Sequence, residues 1–160
     1  MDRLVGFGRA LLRRGAELSL AALALLTLGD VLGRYLFHLP VPGAVELTEV
    51  LMVAVIFLGV VLATLQDEHV VVDVFTSAFR TRIRLAIRTL GSLFAVVVSL
   101  VLGVTGWQQA MSALDFGDQT TILALPLAPV VFFMSVLLFV NALLQAHVAW
   151  RRLHSARDPR

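Results

Sequence analysis

A run without any charged residue, from Val50 to Leu65, limits what this chain can fold into. Glu46 and Glu49 precede the run, and the polar residues Gln66-Asp67-Glu68-His69 follow it. As a helix, residues 44–65 would measure about 33 Å, close to the ~30 Å of hydrocarbon in a bilayer. No water satisfies backbone groups at that depth, so the sequence predicts a membrane-spanning helix over residues 44–65.

The composition extends this prediction to the whole chain. Of its 160 residues, 59% are hydrophobic and 15% are charged, with a mean hydropathy of +0.90. That balance indicates an integral membrane protein of about four spans rather than a soluble domain. We predict an all-α fold and a single membrane domain over residues 1–160, with spans at about 15–37, 44–65, 87–114 and 121–150.

Several classes of function are excluded or disfavoured. All thirteen basic residues are arginines in short clusters beside apolar runs, which membrane topology explains better than nucleic acid does. The chain has no cysteine, which excludes disulfides and thiolate chemistry. Familiar metal spacings, a phosphate-binding glycine loop and a serine beside a plausible base are also missing. We therefore expect no enzyme activity, no cofactor and no nucleic-acid partner.

The first span follows an arginine-rich start. Residues 1–14 are typical of a short amphipathic segment lying on a membrane surface. Arg13-Arg14 imitates a secretory or twin-arginine signal, but no small-x-small cleavage site closes the apolar stretch before Asp30. Asp30 and Arg34 are four residues apart, so on a helix they share a face and can neutralise each other. The pair either snorkels at the interface or contacts another helix or subunit.

Two prolines and a glycine between His38 and Gly43 predict a tight turn, so the first two spans form a hairpin. Glu46 and Glu49 share a face at the start of the second helix. Acidic residues there interact favourably with the helix dipole, and capping alone could account for them. Two carboxylates at a membrane boundary could instead hold a partner's arginine or bind a cation.

The connection between spans two and three, residues 67–84, predicts an amphipathic segment lying at the cytoplasmic interface. Its apolar residues form a stripe in helical register, and Arg80, Arg84 and Arg88 gather towards one end. A short extended piece at Val70-Val71-Val72 is the alternative, because β-branched residues weaken the helix prediction.

Spans three and four carry different signals. Small residues recur in the third span, at Gly91, Ser92, Ser99, Gly103 and Gly106. They would let another helix approach closely. The stretch before Trp150 is too long for one upright helix, so Pro126 and Pro129 predict a bent or unwound segment and a helix from about Leu127.

The arginines predict the orientation. With four spans, the two termini and the 66–88 connection share one side, and they hold every arginine except Arg34. The turns on the opposite side carry Asp115 and Asp118 instead. The positive-inside rule therefore places both termini in the cytoplasm. The residues expected at a membrane surface are Arg80, Arg84, Arg88, Trp107, Trp150, Arg151 and Arg152.

Other polar residues cluster at the edges of the spans, where charges are costly unless paired. We expect these to be structural or to contact a partner or phospholipid: Arg34, Glu46, Glu49, His69, Asp73, Asp118 and Thr120, with Pro126 and Pro129 at the last bend. Spans two to four carry no carboxylate at mid-depth, and we expect no polar group there. A self-sufficient ion-coupled transporter normally needs one, so the chain is predicted to assist a transporter.

A series of short motifs occurs in order between about Gly15 and Trp150. They are Gly33-Arg34-Tyr35-Leu36-Phe37, Pro42-Gly43, Glu46-Leu47-Thr48-Glu49, Phe57-Leu58-Gly59, His69-Val70-Val71-Val72-Asp73, Gly117-Asp118-Gln119-Thr120, and Leu123, Pro126 and Pro129. With the four-span layout, this order resembles the small membrane subunit, DctQ type, of tripartite ATP-independent periplasmic (TRAP) transporters.

The resemblance implies a transporter in the bacterial inner membrane that takes up organic acids such as dicarboxylates, driven by a sodium or proton gradient. A periplasmic solute-binding protein would deliver the solute to a large elevator-type subunit. This chain would pack against that subunit's static scaffold and bind no substrate itself.

Two alternatives remain open at this point. The first is a haem or quinone anchor that uses His38, His69 or His147, although bis-histidine haem needs ligands that face each other within the membrane. The second is a small self-assembling exporter whose coupling carboxylate is Glu46 or Glu49.

Overall fold

The computed structural model describes the backbone of residues 2–65 and 81–155 and the side chains of residues 6–65 and 90–150. Within those ranges the secondary structure consists of four α-helices and one isolated bridge. The helices are α1 (Asp2–Leu36), α2 (Ala44–Leu65), α3 (Thr81–Phe116) and α4 (Leu127–Ser155). Each contains a stretch long and apolar enough to cross a membrane, which confirms the all-α prediction of four spans.

The helices form an open layer made of two hairpins. The largest interfaces join α1 to α2, α2 to α4 and α4 to α3, while α1 and α3 share no comparable interface. The order across the layer is therefore α1, α2, α4, α3. We call the end that carries the turn before α2 and the loop before α4 the loop end, and the opposite end the terminal end.

The apolar core where the two hairpins meet is small. It is centred on Leu58 and Val61 of α2 and Leu137 of α4, and Leu12 and Ala16 of α1 pack against it. Elsewhere α1 is open, because none of its side chains between residues 6 and 36 is buried. Apolar surface of this extent is stable in lipid, where exposure of hydrocarbon costs nothing.

Small residues bring α3 and α4 close together. Gly103 and Gly106 are buried, and Cβ atoms added there would lie 3.2 Å from the Phe139 ring and 2.6 Å from the Ser135 hydroxyl, respectively. This confirms the expected close approach of another helix at these two positions. Gly91 differs, because a Cβ there would have nothing within 4 Å.

Two helices are longer than the predicted spans. α1 is continuous from Asp2, so the expected surface segment forms its first turns rather than a separate element. The Arg13–Glu17 ion pair, 2.8 Å long, crosses the predicted boundary and favours continuity. Likewise α3 begins at Thr81, so residues 81–84 of the predicted interfacial segment belong to the helix of the third span. The rest of that segment lies outside the described residues.

The last helix starts where the prolines indicated. α4 begins at Leu127, as expected, and residues 117–126 before it are a non-helical loop. The helix therefore starts six residues after the beginning of the predicted span 121–150, and it continues past the end of that span to Ser155. Pro129 lies in the first turn of α4, where a missing N–H leaves no helical hydrogen bond unmade.

The close packing of α3 on α4 generates a first prediction. Gly106→Val would push a side chain into Ser135 and Met134, and overpacking of this kind lowers the free energy of unfolding by about 1–3 kcal/mol. The measurement is unfolding by sodium dodecyl sulfate in mixed micelles. Gly91→Val, in open space on the same helix, is the matched control, and equal losses in both variants would contradict the packing described here.

Candidate functional site

The Glu46 carboxylate connects the two hairpins at the loop end. Glu46 lies in the first turn of α2 and is 9% exposed. Its Oε1 accepts a hydrogen bond from the Ile122 N–H at 2.6 Å, and its Oε2 accepts one from the Leu123 N–H at 2.9 Å. The Thr120 hydroxyl and the Thr121 N–H also face this carboxylate. Its negative charge is therefore surrounded by donors from the loop between α3 and α4.

That loop is held in shape by its own hydrogen bonds. The Thr120 N–H donates to the Leu125 carbonyl at 2.9 Å, and the Leu125 N–H donates to the Thr120 hydroxyl at 3.0 Å. The Leu127 N–H donates to the Asp118 carbonyl at 3.1 Å, closing the loop onto α4. Ala124 adopts a positive φ of 52°, which turns the chain back. The N–H groups of residues 121–123 are thereby left pointing towards α2.

Gly43 makes room for this loop. Its φ of 72° is a conformation that glycine adopts readily, and a Cβ there would overlap the side chain of Leu123. The turn before α2 and the loop before α4 are therefore in direct contact beside Glu46.

Asp30 and Arg34 form a second polar contact at the loop end. The Arg34 guanidinium lies 2.7 Å from Asp30 Oδ2, as their spacing predicted. Asp30 Oδ1 also accepts a hydrogen bond from the Val41 N–H at 3.0 Å. The carboxylate thus ties the end of α1 to the turn that leads into α2.

A buried polar cluster joins three helices within the layer. The Thr64 hydroxyl is 2.7 Å from Asn141 Oδ1, and Asn141 Nδ2 donates to the Ser99 hydroxyl at 3.0 Å. Thr64, Asn141 and Ser99 belong to α2, α4 and α3, and each is at most 6% exposed. Gln145, one turn from Asn141, is also buried, and its Oε1 has no hydrogen-bond partner among the described residues.

This cluster corrects the expectation of an apolar interior. Asn141 lies about 21 Å along α4 from its first residue and about 14 Å from Trp150, well inside the span. The absence of carboxylates at that depth was predicted correctly for the described residues, but the absence of polar groups was wrong. The i, i+4 spacing of Asn141 and Gln145 in an otherwise apolar stretch is the signal that sequence reasoning passed over.

The remaining predicted residues are dispersed. Glu49 is exposed on α2, one turn from Glu46, and no hydrogen bond or ion pair joins it to any described residue. Asp118 is exposed, and its carbonyl rather than its carboxylate takes part in the loop. Trp107 packs edge-on against Phe132 with ring centroids 4.9 Å apart.

Several predicted residues cannot be placed in a site. His69, Asp73 and Arg80 lie outside the described residues. For four others the structure describes only the backbone, which lies on helices at the terminal end. They are Arg84, Arg88, Arg151 and Arg152. Trp150 is 64% exposed at that same end.

The described helices expose many large apolar side chains, and four of these helices are long and apolar enough to cross a membrane, which defines a multi-span α-helical membrane protein. Residues 23–155 match the family model described as tripartite ATP-independent periplasmic transporters, DctQ component. The chain belongs to this family and is the small membrane component of a TRAP transporter. Comparison with curated proteins gave no match.

The Glu46 contact gives a prediction for loop stability. Glu46→Gln would turn an NH₂ group towards a backbone N–H, and a buried donor without an acceptor costs about 1–3 kcal/mol. We expect faster hydrogen exchange at Ile122 and Leu123 and a lower free energy of unfolding. Asp115→Asn, an exposed acidic position at the end of α3, is the control. Unchanged exchange in the loop of the Glu46 variant would contradict this role.

The buried cluster gives a third prediction. In a double-mutant cycle of Thr64→Val and Asn141→Leu, we expect a coupling free energy between about 0.6 kcal/mol, the average for hydrogen bonds between helices in lipid, and about 1.7 kcal/mol, the largest value. Unfolding in mixed micelles supplies the four free energies. Additive effects of the two substitutions would show that the 2.7 Å contact contributes nothing to stability.

Proposed function

We propose that this chain is the scaffold subunit of its transporter, bracing the large membrane subunit that moves the solute. The observation that carries the proposal is the open layer. In the part of the chain that the structure describes, the four helices lie side by side in the order α1, α2, α4, α3, and no side chain of α1 between residues 6 and 36 is buried. A layer of this kind widens a neighbouring membrane protein and leaves the binding of solute to that neighbour.

The contacts of Glu46 and the positions of two histidines support the same role. Glu46, one of the two candidate coupling carboxylates of an exporter beside Glu49, is bound by the N–H groups of the loop. His38 and His147, two of the candidate haem ligands, lie at opposite ends of the layer and so do not face each other. Both arrangements favour a structural subunit over the exporter and the haem anchor.

We propose that the subunit lies in the bacterial inner membrane, which its family supports, with both termini in the cytoplasm, which its arginines support. The described helices fit this orientation, because Arg9, Arg13 and Arg14 lie at the terminal end and Asp115 and Asp118 at the loop end. The loop end then faces the periplasm, where a solute-binding protein approaches. We propose an organic acid as the solute and a sodium or proton gradient as the driving force, and membership of the DctQ family supports this.

Reconstitution tests this proposal. The chain co-expressed with the large membrane subunit of its transporter is expected to be extracted in detergent as a stable one-to-one complex. In liposomes, with the solute-binding protein and an ion gradient, the complex should take up a labelled dicarboxylate, while the chain alone should take up none. Uptake by the chain alone, or a failure to recruit the large subunit, would refute a scaffold role.

A further inference from the structure

We propose that one face of α2 is the surface on which a transmembrane helix of the large subunit packs, with a basic side chain of that helix meeting Glu49. This inference rests on the proposed function and adds to it the contact surface and the chemistry of the partner. The face, called the α2 face below, consists of Val45, Glu49, Met52, Ile56 and Val60.

The α2 face is a continuous stripe on an inner helix of the layer. Its members are spaced by four, three, four and four residues, which places them on one side of a helix. All five are exposed, with Met52 at 46% and Ile56 at 50%. The buried residues Leu58 and Val61 of α2 lie towards the opposite side and pack against α1 and α4. Thr64, one turn beyond Val60, is buried against Asn141 of α4 and marks the end of the stripe. The stripe is therefore open although α2 has a neighbour on each flank.

Glu49 is the charged member of this stripe, and its depth makes that charge costly. It lies about 7.5 Å along α2 from Ala44, in a helix that barely exceeds the hydrocarbon thickness. Asp30 and Glu46 at the same end are satisfied by Arg34 and by backbone N–H groups. Glu49 has no such partner among the described residues. An ionisable group inside a span carries a high free-energy cost unless it is paired with an opposite charge. We therefore expect the Glu49 carboxylate to be paired with a cation that belongs to another molecule.

The same charge argues against other occupants. Two copies of the chain related by a two-fold axis through this face would bring their Glu49 carboxylates together, which like-charge repulsion disfavours. Lipid phosphate is repelled in the same way. An arginine or lysine on a partner helix, flanked by residues that fit beside Met52 and Ile56, satisfies both the carboxylate and the apolar stripe.

Photo-crosslinking locates the surface. Benzoylphenylalanine placed at Met52 or Ile56, in the chain co-expressed with the large subunit, is expected to give an adduct with the mass of both subunits. The controls are Leu25 of α1 and Val101 of α3, which are 69% and 55% exposed. Adducts at the controls combined with lipid-only labelling at Met52 and Ile56 would overturn the proposal.

Charge reversal tests the chemistry. Glu49→Lys is expected to lower recovery of the large subunit at least about tenfold, because like charges would then oppose each other across the contact. Glu49→Gln should give an intermediate loss, and Asp115→Lys should recover as much as the unaltered chain. Wild-type recovery with Glu49→Lys would overturn the proposal. If that variant fails to fold, the crosslinking result decides.

The two proposals fail in different ways. If the unaltered chain recovers no large subunit, the scaffold role itself is refuted. If the complex forms and its crosslinks map to α1 or α3, the scaffold role stands and the assignment of the α2 face is wrong.

Discussion

The hydrogen bonds from the loop N–H groups to Glu46 are the contact on which the layer most depends. Lipid removes the hydrophobic force that would press helices together in water, so packing and polar contacts must hold them. The interface between the hairpins has a small apolar core, so its polar contacts contribute a larger share of its stability. The Glu46 carboxylate and the N–H groups of the loop each need the other as a hydrogen-bond partner. Backbone N–H groups at a membrane boundary and a buried carboxylate are both costly when unpaired.

The two polar contacts of α2 lie near its opposite ends and differ in charge. At the loop end the contact uses a full charge and backbone donors. In the last turn of α2, where Thr64 meets Asn141 from within the α4 span, the contact is neutral. A neutral amide satisfied on both sides costs far less to bury than a carboxylate does. The α2 helix is thus held to the second hairpin at both ends, which suits a subunit whose role is to resist deformation.

Sequence reasoning predicted what depends on neighbours along the chain. Hydropathy predicted the four spans, and Pro126 predicted the start of α4. The four-residue spacing of Asp30 and Arg34 predicted their ion pair. Sequence reasoning missed the partner of Glu46, because that contact joins positions 76 and 77 residues apart and its donors are backbone groups without a sequence signature. The buried contact of Asn141 was also missed, because hydropathy averaged over a window is dominated by the apolar neighbours of that residue. The continuity of α1 was missed because the arginine-rich start was interpreted as a separate surface segment, whereas the Arg13–Glu17 pair and the packing of Leu12 and Ala16 continue across the predicted boundary.

The length of α3 has a consequence for how the protein sits in lipid. Its apolar stretch, Leu90–Phe116, has 27 residues and measures about 40 Å, roughly 10 Å more than the hydrocarbon it crosses. α4 packs closely along it through Gly103 and Gly106, so the two helices must incline together. Because α2 is joined to this hairpin near both of its ends, the hairpin and α2 must tilt together, and a thinner membrane would demand a larger tilt of both or a local thickening of the bilayer.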